Sequence, residues 1–343
     1  MLLNKKQNKK KHITFRKKQH SSHNHSSHNH SKTRRYKPSN CHPSLSLKKN
    51  RKKVLDHSCF TSDALVLLKN SFNYSNPHKT IETNDPKEIW NHLYTKIPEC
   101  EQETCWLNYV PNKTLQKRLK SELFTPFQPS DWKKNKNAWV SNYDMDAVLK
   151  QYQETYYPVF ISLGPTPIDF DSKKTDGQCV WDEICRLSLS TEYNKGVRKI
   201  GIIYNLDTSK GYGTHWVSMF IDLNSYSENG LEENPFIFYF NSSPEVMPKE
   251  IHDLIQRLHT QWIEFKGKPL VVYNNTKVNH QRSDTECGMY SLFFIITCLT
   301  RKTDLIPGKQ LITSDLIDLF ASKNRIDDKY IEKFREIYFN PVS

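Results

Sequence analysis

Apolar residues recur every three or four positions between residues 59 and 125, then gather into short continuous runs, and this change of period divides the chain. Leu65, Leu68 and Phe72 mark one helical face. Ile89, Trp90, Leu93 and Ile97 mark another, behind Asp85-Pro86-Lys87-Glu88, where a capping aspartate, a first-turn proline and a glutamate three residues on predict a helix start. Residues 56–125 thus read as a small helical subdomain. After a polar connection at 126–137, "AWVSNYDMDAVLKQY" opens a second unit: Ser141 and Asp144 fit a capping box, and Met145, Val148, Leu149 and Tyr152 share a face. Apolar runs at 159–163, 199–204, 215–223, 235–241 and 269–273 predict strands, several apolar on both faces and therefore covered on both sides. Helices are predicted at 180–189, 248–261, 287–299, 314–319 and 328–338. This order of elements predicts an α+β domain over 126–343.

Residues 1–55 follow neither period. They hold 17 Lys and Arg and no Asp or Glu, in a chain whose formal net charge is +13, so the remainder carries about −4. Ser-Ser-His-Asn-His stands twice, at 21–25 and 26–30, and little in the segment can be buried. It reads as a disordered basic tail. Lys9-Lys10-Lys11, Arg34-Arg35 and Arg51-Lys52-Lys53 suit nuclear import or sequence-independent contact with DNA or RNA phosphates. Its histidines lack the cysteine or carboxylate partners of structural zinc, and no metal or cofactor is expected. The longest uncharged apolar stretch, 289–299, is too short to span a bilayer, and Met-Leu-Leu leads into Asn-Lys-Lys rather than a secretory leader. Neither membrane insertion nor secretion is expected. The eight cysteines accordingly read as reduced thiols of a cytosolic or nuclear protein, with Cys100 and Cys105 in "CEQETCW" as buried structural thiols.

The chemistry concentrates in "VNHQRSDTECGMYSLFFIITCL" at 278–299, where a polar run meets an apolar one at Cys287 and Gly288. A helix starting there, with Ser283 and Thr285 as candidate caps, would turn its free N–H groups and positive dipole end toward the Cys287 sulfur and favour thiolate. Gly288 would leave room for an approaching carbonyl. A buried cysteine that only packs is the commonplace alternative, and a candidate base shifts the balance. His215 sits in the apolar run "GYGTHWVSMFIDL" beside Trp216, and "PFIFYFNSSP" ends a further strand with Asn241, whose amide oxygen can accept from an imidazole N–H. Gln281 can donate, with the Cys287 backbone N–H, to a developing oxyanion. Cysteine, histidine, amide and glutamine are the parts of a thiol acyl-transfer site.

These residues resemble the cysteine protease superfamily of SUMO-specific (ubiquitin-like-protein-specific) proteases and the adenovirus-type endopeptidase. The chain order His215, Asn241, Gln281, Cys287 is similar to that family's, as are "HW" at 215–216, "FNSS" at 240–243 and "CG" at 287–288, and "AWVSNYDMDAVL" resembles its W-L-x-D-x-x-I segment. The likeness covers roughly 130–340. It implies a papain-like core, with a mixed sheet packed on the helix that carries the nucleophile, and peptide-bond hydrolysis without a cofactor. It further implies a substrate channel beside Trp139, Trp216 and Gly288, and a protein substrate cut after a small residue in a Gly-Gly or Gly-Xaa site. The family usually has aspartate where this chain has Asn241. The helical preface and basic tail resemble the thiol proteases of large DNA viruses, which implies processing of virion precursors, in the virion or in the host cytoplasm or nucleus. Deconjugation of ubiquitin-like proteins and an inert nucleic-acid-binding scaffold are the alternatives.

Overall fold

Phe236, Phe238 and Phe240 alternate with Ile237 and Tyr239 along one five-residue strand, and both sets are buried. Such a strand needs cover on both faces, and the computed structural model supplies it from two separate cores. It describes residues 36–47, 55–224, 230, 233–275, 277–322 and 324–341. A six-stranded sheet is built from β1 (Phe160–Ser162), β2 (Thr166–Pro167), β3 (Lys199–Asn205), β4 (Trp216–Asp222), β5 (Phe236–Phe240) and β6 (Val271–Asn274). The order is β1-β3-β4-β5-β6, with β2 also paired to β3. β3, β4 and β5 run antiparallel, while β1 and β2 lie parallel to β3, and β6 parallel to β5. This is the mixed sheet of the α+β reading; only the two-residue β2 had no apolar run to announce it.

One face of the sheet takes Ile203, Phe220 and the three β5 phenylalanines onto the helix Cys287–Thr300, hereafter the central helix, which is buried throughout from Cys287 to Leu299. Gly201 of β3 makes this close seating possible: a Cβ there would come within 2.9 Å of Ile295 and 3.2 Å of the Phe160 ring. The other face takes Ile202, Tyr204, Met219, Ile237 and Tyr239 onto the helix Lys249–Lys266. Two predicted helices prove to be interrupted. The 180–189 stretch resolves into Asp182–Cys185 and Leu189–Asn194, and 328–338 into Asp328–Glu332 and Phe334–Ile337. At the 141–144 corner the capping box is complete, with Ser141 and Asp144 each bonding the other's backbone N–H.

The N-terminal helices Ser62–Ser75, Pro86–Lys96 and Lys113–Leu123 enclose a third core around Leu65, Leu68, Trp106 and Phe124. Asp85 caps its helix by accepting from Glu88 N at 2.9 Å, but the Glu88 carboxylate takes the Thr83 hydroxyl instead of returning to the cap. This helical part and the sheet form one compact unit from Tyr36 onward. Asn340 stitches the seam: its side chain accepts from Asn40 N at 2.8 Å and donates to Asn40 O at 2.8 Å and Thr125 Oγ1 at 2.9 Å.

Two expectations need correction here. Residues 36–47, placed in the tail by their charge, are part of the folded unit: Cys41 bridges to Phe124, and Pro43–Leu47 is helical. Residues 1–35 and 48–54 lie outside the described residues. The cysteines are also not uniformly reduced thiols. Cys41–Cys59, Cys100–Cys105 and Cys179–Cys185 are disulfides, leaving Cys287 and Cys298 free. Chain length and cysteine number constrain redox state only indirectly, whereas pairing depends on Cα–Cα separations, here 5.1, 5.5 and 6.3 Å, that sequence does not reveal.

Candidate active site

The chain turns from β4 to β5 so that His215, just before β4, and Asn241, just after β5, stand at the same end of neighbouring antiparallel strands. His215 Nε2 lies 2.8 Å from Asn241 Oδ1. The same oxygen accepts from Ser243 N at 2.9 Å, which fixes it as the acceptor, so Nε2 carries the proton and Nδ1 keeps its lone pair. Asn241 is fully buried, and Asn275 holds its backbone by donating to Asn241 O at 2.8 Å. The buried Tyr239 hydroxyl stands beside the Asn241 amide, and its hydrogen bond with that side chain offsets part of the rise that burial gives the Tyr239 phenol.

Cys287 begins the central helix, as predicted, but no side chain caps it. The N-cap is Glu286, with no side-chain cap bond; Thr285 Oγ1 donates to Glu286 Oε1 at 3.2 Å, and Ser283 Oγ is buried without a partner. Burial pushes the Cys287 thiol above its ordinary value. The N–H groups of Trp216, Gly288 and Cys287 itself, which donate to the sulfur, offset only part of that rise, and the Glu286 charge adds to it. The expected bias toward thiolate is therefore reversed, because the helix start lies at the edge of the core rather than in water. The Trp216 amide at the sulfur also brings the residue following His215 to Cys287.

Gln281 lies in the loop before the central helix, where its Oε1 accepts from Ser242 Oγ at 2.8 Å and its Nε2 donates to Ser283 O at 2.6 Å. The adjacent His280 is buried, with Nδ1 accepting from Ile326 N and Nε2 donating to Phe320 O, each at 3.0 Å, and burial holds its pKa down. Gln281 is thus aimed by both neighbours, and one of its two amide hydrogens remains available.

Trp139 is half exposed and donates from Nε1 to Asp284 O at 3.1 Å, and Trp216 is half buried. Gly288 is also set by packing. A Cβ there would fall 2.3 Å from Val140 Cγ1 and 3.1 Å from Met145 Sδ, so glycine lets the central helix seat against the segment that follows Trp139. Sequence reading missed Arg335. Its guanidinium binds the buried Glu286 carboxylate at 2.8 Å through Nη2 and 3.1 Å through Nε, and donates to Ala138 O at 2.8 Å through Nη1. It lies 4.5 Å from the centre of the Trp132 ring. No local pattern signals this, since its partners lie about two hundred and about fifty residues away. Among the described residues no group of three or more His, Cys, Asp or Glu could hold a metal ion.

Comparison with known proteins settles the class. Residues 192–329, which contain His215, Asn241, Gln281 and Cys287, match the model of the Ulp1 protease family, C-terminal catalytic domain. The chain carries a Ulp1-type cysteine protease domain. A thiol protease of Acanthamoeba polyphaga mimivirus is 25% identical over 71% of this chain and 81% of its own length. A cysteine protease of African swine fever virus is 27% identical over 74% of this chain and 88% of its own. The crystal structure of an African swine fever virus protease shares the fold, with a TM-score of 0.59 at 20% identity over 90% of this chain and 97% of that one. The likeness to these viral proteases thus reaches beyond the catalytic segment into the helical preface. No helix among the described residues is long and apolar enough to cross a membrane.

Proposed function

We propose that the protein is an endopeptidase that cuts after small residues, in Gly-Gly or Gly-Xaa sites, and processes viral structural precursors. The observation that carries this reading is the 2.8 Å His215–Asn241 bond, which leaves Nδ1 as the base, together with the Trp216 amide at the Cys287 sulfur. In the proposed reaction His215 Nδ1 takes the thiol proton as the sulfur attacks the scissile carbonyl. Gln281 Nε2 and the Cys287 N–H receive the oxyanion, His215 returns the proton to the departing amine, and water hydrolyses the thioester. Trp139 and Trp216 flank the approach, and such large rings leave space for glycine at the cut. Relatives in large DNA viruses support precursor processing. A 26% identical relative from another African swine fever virus isolate bears the name "SUMO-1 cysteine protease", which supports the second reading, removal of ubiquitin-like proteins.

The test is an electrophilic probe built on a Gly-Gly peptide. Labelling at Cys287 that His215→Ala abolishes supports the enzyme; no labelling of the folded protein leaves an inert scaffold. Turnover of Gly-Gly precursors against SUMO conjugates then separates the two substrates. We further propose that the basic tail contacts DNA or RNA phosphates. Deleting residues 1–35 should remove a steeply salt-dependent polyanion binding, and equally tight binding after the deletion would contradict it.

A further inference from the structure

Beyond Trp216 the site opens into a second groove of about 860 Å3. Its walls include Pro165, Pro167, Trp181 and the fully exposed Tyr212, and Lys173, Lys174 and Lys210 line its rim. The lining contains one carboxylate, Asp169, already occupied by Ser209 N at 2.7 Å and Ser209 Oγ at 2.8 Å. Lys173 donates to Cys179 Sγ at 2.9 Å, whereas Lys174 and Lys210 make no ion pair among the described residues. Trp181 Nε1 is buried without an acceptor. A groove with surplus ammonium groups, an unmatched indole N–H and a spent carboxylate is built to receive hydrogen-bond acceptors that carry negative charge. The chain's own tail, all Lys and Arg among its charges, has the wrong sign to fill it.

We infer that this groove receives an acidic stretch of the protein substrate, on one side of the glycine that is cut. The inference rests on the endopeptidase reading and names a feature of its substrate. Aspartate or glutamate there would meet Lys174 and Lys210, and a carbonyl or carboxylate oxygen would take the Trp181 N–H. Tyr212 and the two prolines would pack against the intervening side chains.

The experiment uses the full chain with Cys287→Ser, so that binding is read without turnover. Fluorescent peptides centred on Gly-Gly carry Asp/Glu, Ala or Lys at the positions to either side, and affinity is measured by anisotropy at low and raised salt. Acidic residues on one side should tighten binding about tenfold over alanine, with the gain shrinking as salt rises. Lys174→Glu combined with Lys210→Glu should reverse the order, so that lysine peptides bind best. Trp181→Phe should weaken the acidic peptide about threefold while keeping the order. Equal affinities for acidic and alanine peptides on both sides, or an order unmoved by charge reversal, would overturn the inference. Failure of the endopeptidase reading shows elsewhere, as wild-type protein that cuts no Gly-Gly peptide of any charge and leaves Cys287 unlabelled.

Discussion

Replacing Arg335 by methionine should cost about as much stability as truncating a large apolar core residue. The Glu286 side chain is 1% exposed and that of Arg335 6%, so the substitution strands a carboxylate in the core beside Cys287. Breaking one partner of such a buried pair costs about 3–5 kcal/mol, and Ala138 O loses its donor as well. Against the ~5–15 kcal/mol that holds a typical domain together, the variant should fold with little margin. Glu286→Gln added to Arg335→Met removes the stranded charge and should restore about 2–3 kcal/mol, a coupling of the size expected for contacting groups. Urea unfolding of wild type, both single variants and the double variant gives the cycle, provided the m-values agree. A second readout separates electrostatics from scaffolding. The Glu286 charge already raises the Cys287 thiol, so in Arg335→Met alkylation of Cys287 at neutral pH should slow, and the double variant should recover it. A loss below about 1 kcal/mol in Arg335→Met, or additive effects in the cycle, would refute the reasoning.

Because burial raises the Cys287 thiol, the free enzyme should hold it protonated at neutral pH, and iodoacetamide reactivity should still be climbing at pH 9; a plateau below pH 7 would mean a thiolate already formed there. Asn241→Ala removes the acceptor for both His215 Nε2 and Ser243 N and should slow peptide hydrolysis about ten- to a hundredfold through misorientation. Asn241→Asp should retain activity, since the Tyr239 hydroxyl stands ready to donate to the new oxygen; an inactive, stably folded aspartate variant would place the third member of the site elsewhere.

What the sequence reveals follows the range of the forces involved. Strands β3 to β5 and the central helix are legible because a run buried on both faces has no polar positions to confuse it. The pairing of His215 with Asn241 could be anticipated since each ends an apolar run, and ends of neighbouring strands meet. The thiol's environment could not: "DTECG" looks like an exposed polar approach to a helix, yet Glu286 is buried because an arginine from another element neutralises it. Gly288 illustrates the same limit, as a missing side chain does not say which neighbour requires its absence. The tail boundary failed because 36–47 is held by hydrogen bonds and a disulfide rather than by an apolar period of its own.

The long reach of these C-terminal contacts also orders events during synthesis. Arg335 follows Glu286 by 49 residues, and Asn340 follows Asn40 by 300. Translation therefore delivers Cys287 before the cation that offsets its acidic neighbour, and the N-terminal helices well before the residue that stitches them to the sheet. A nascent chain holding every residue from His215 to Cys287 still lacks that support, so proteolytic competence should arrive late, once 335–340 has docked.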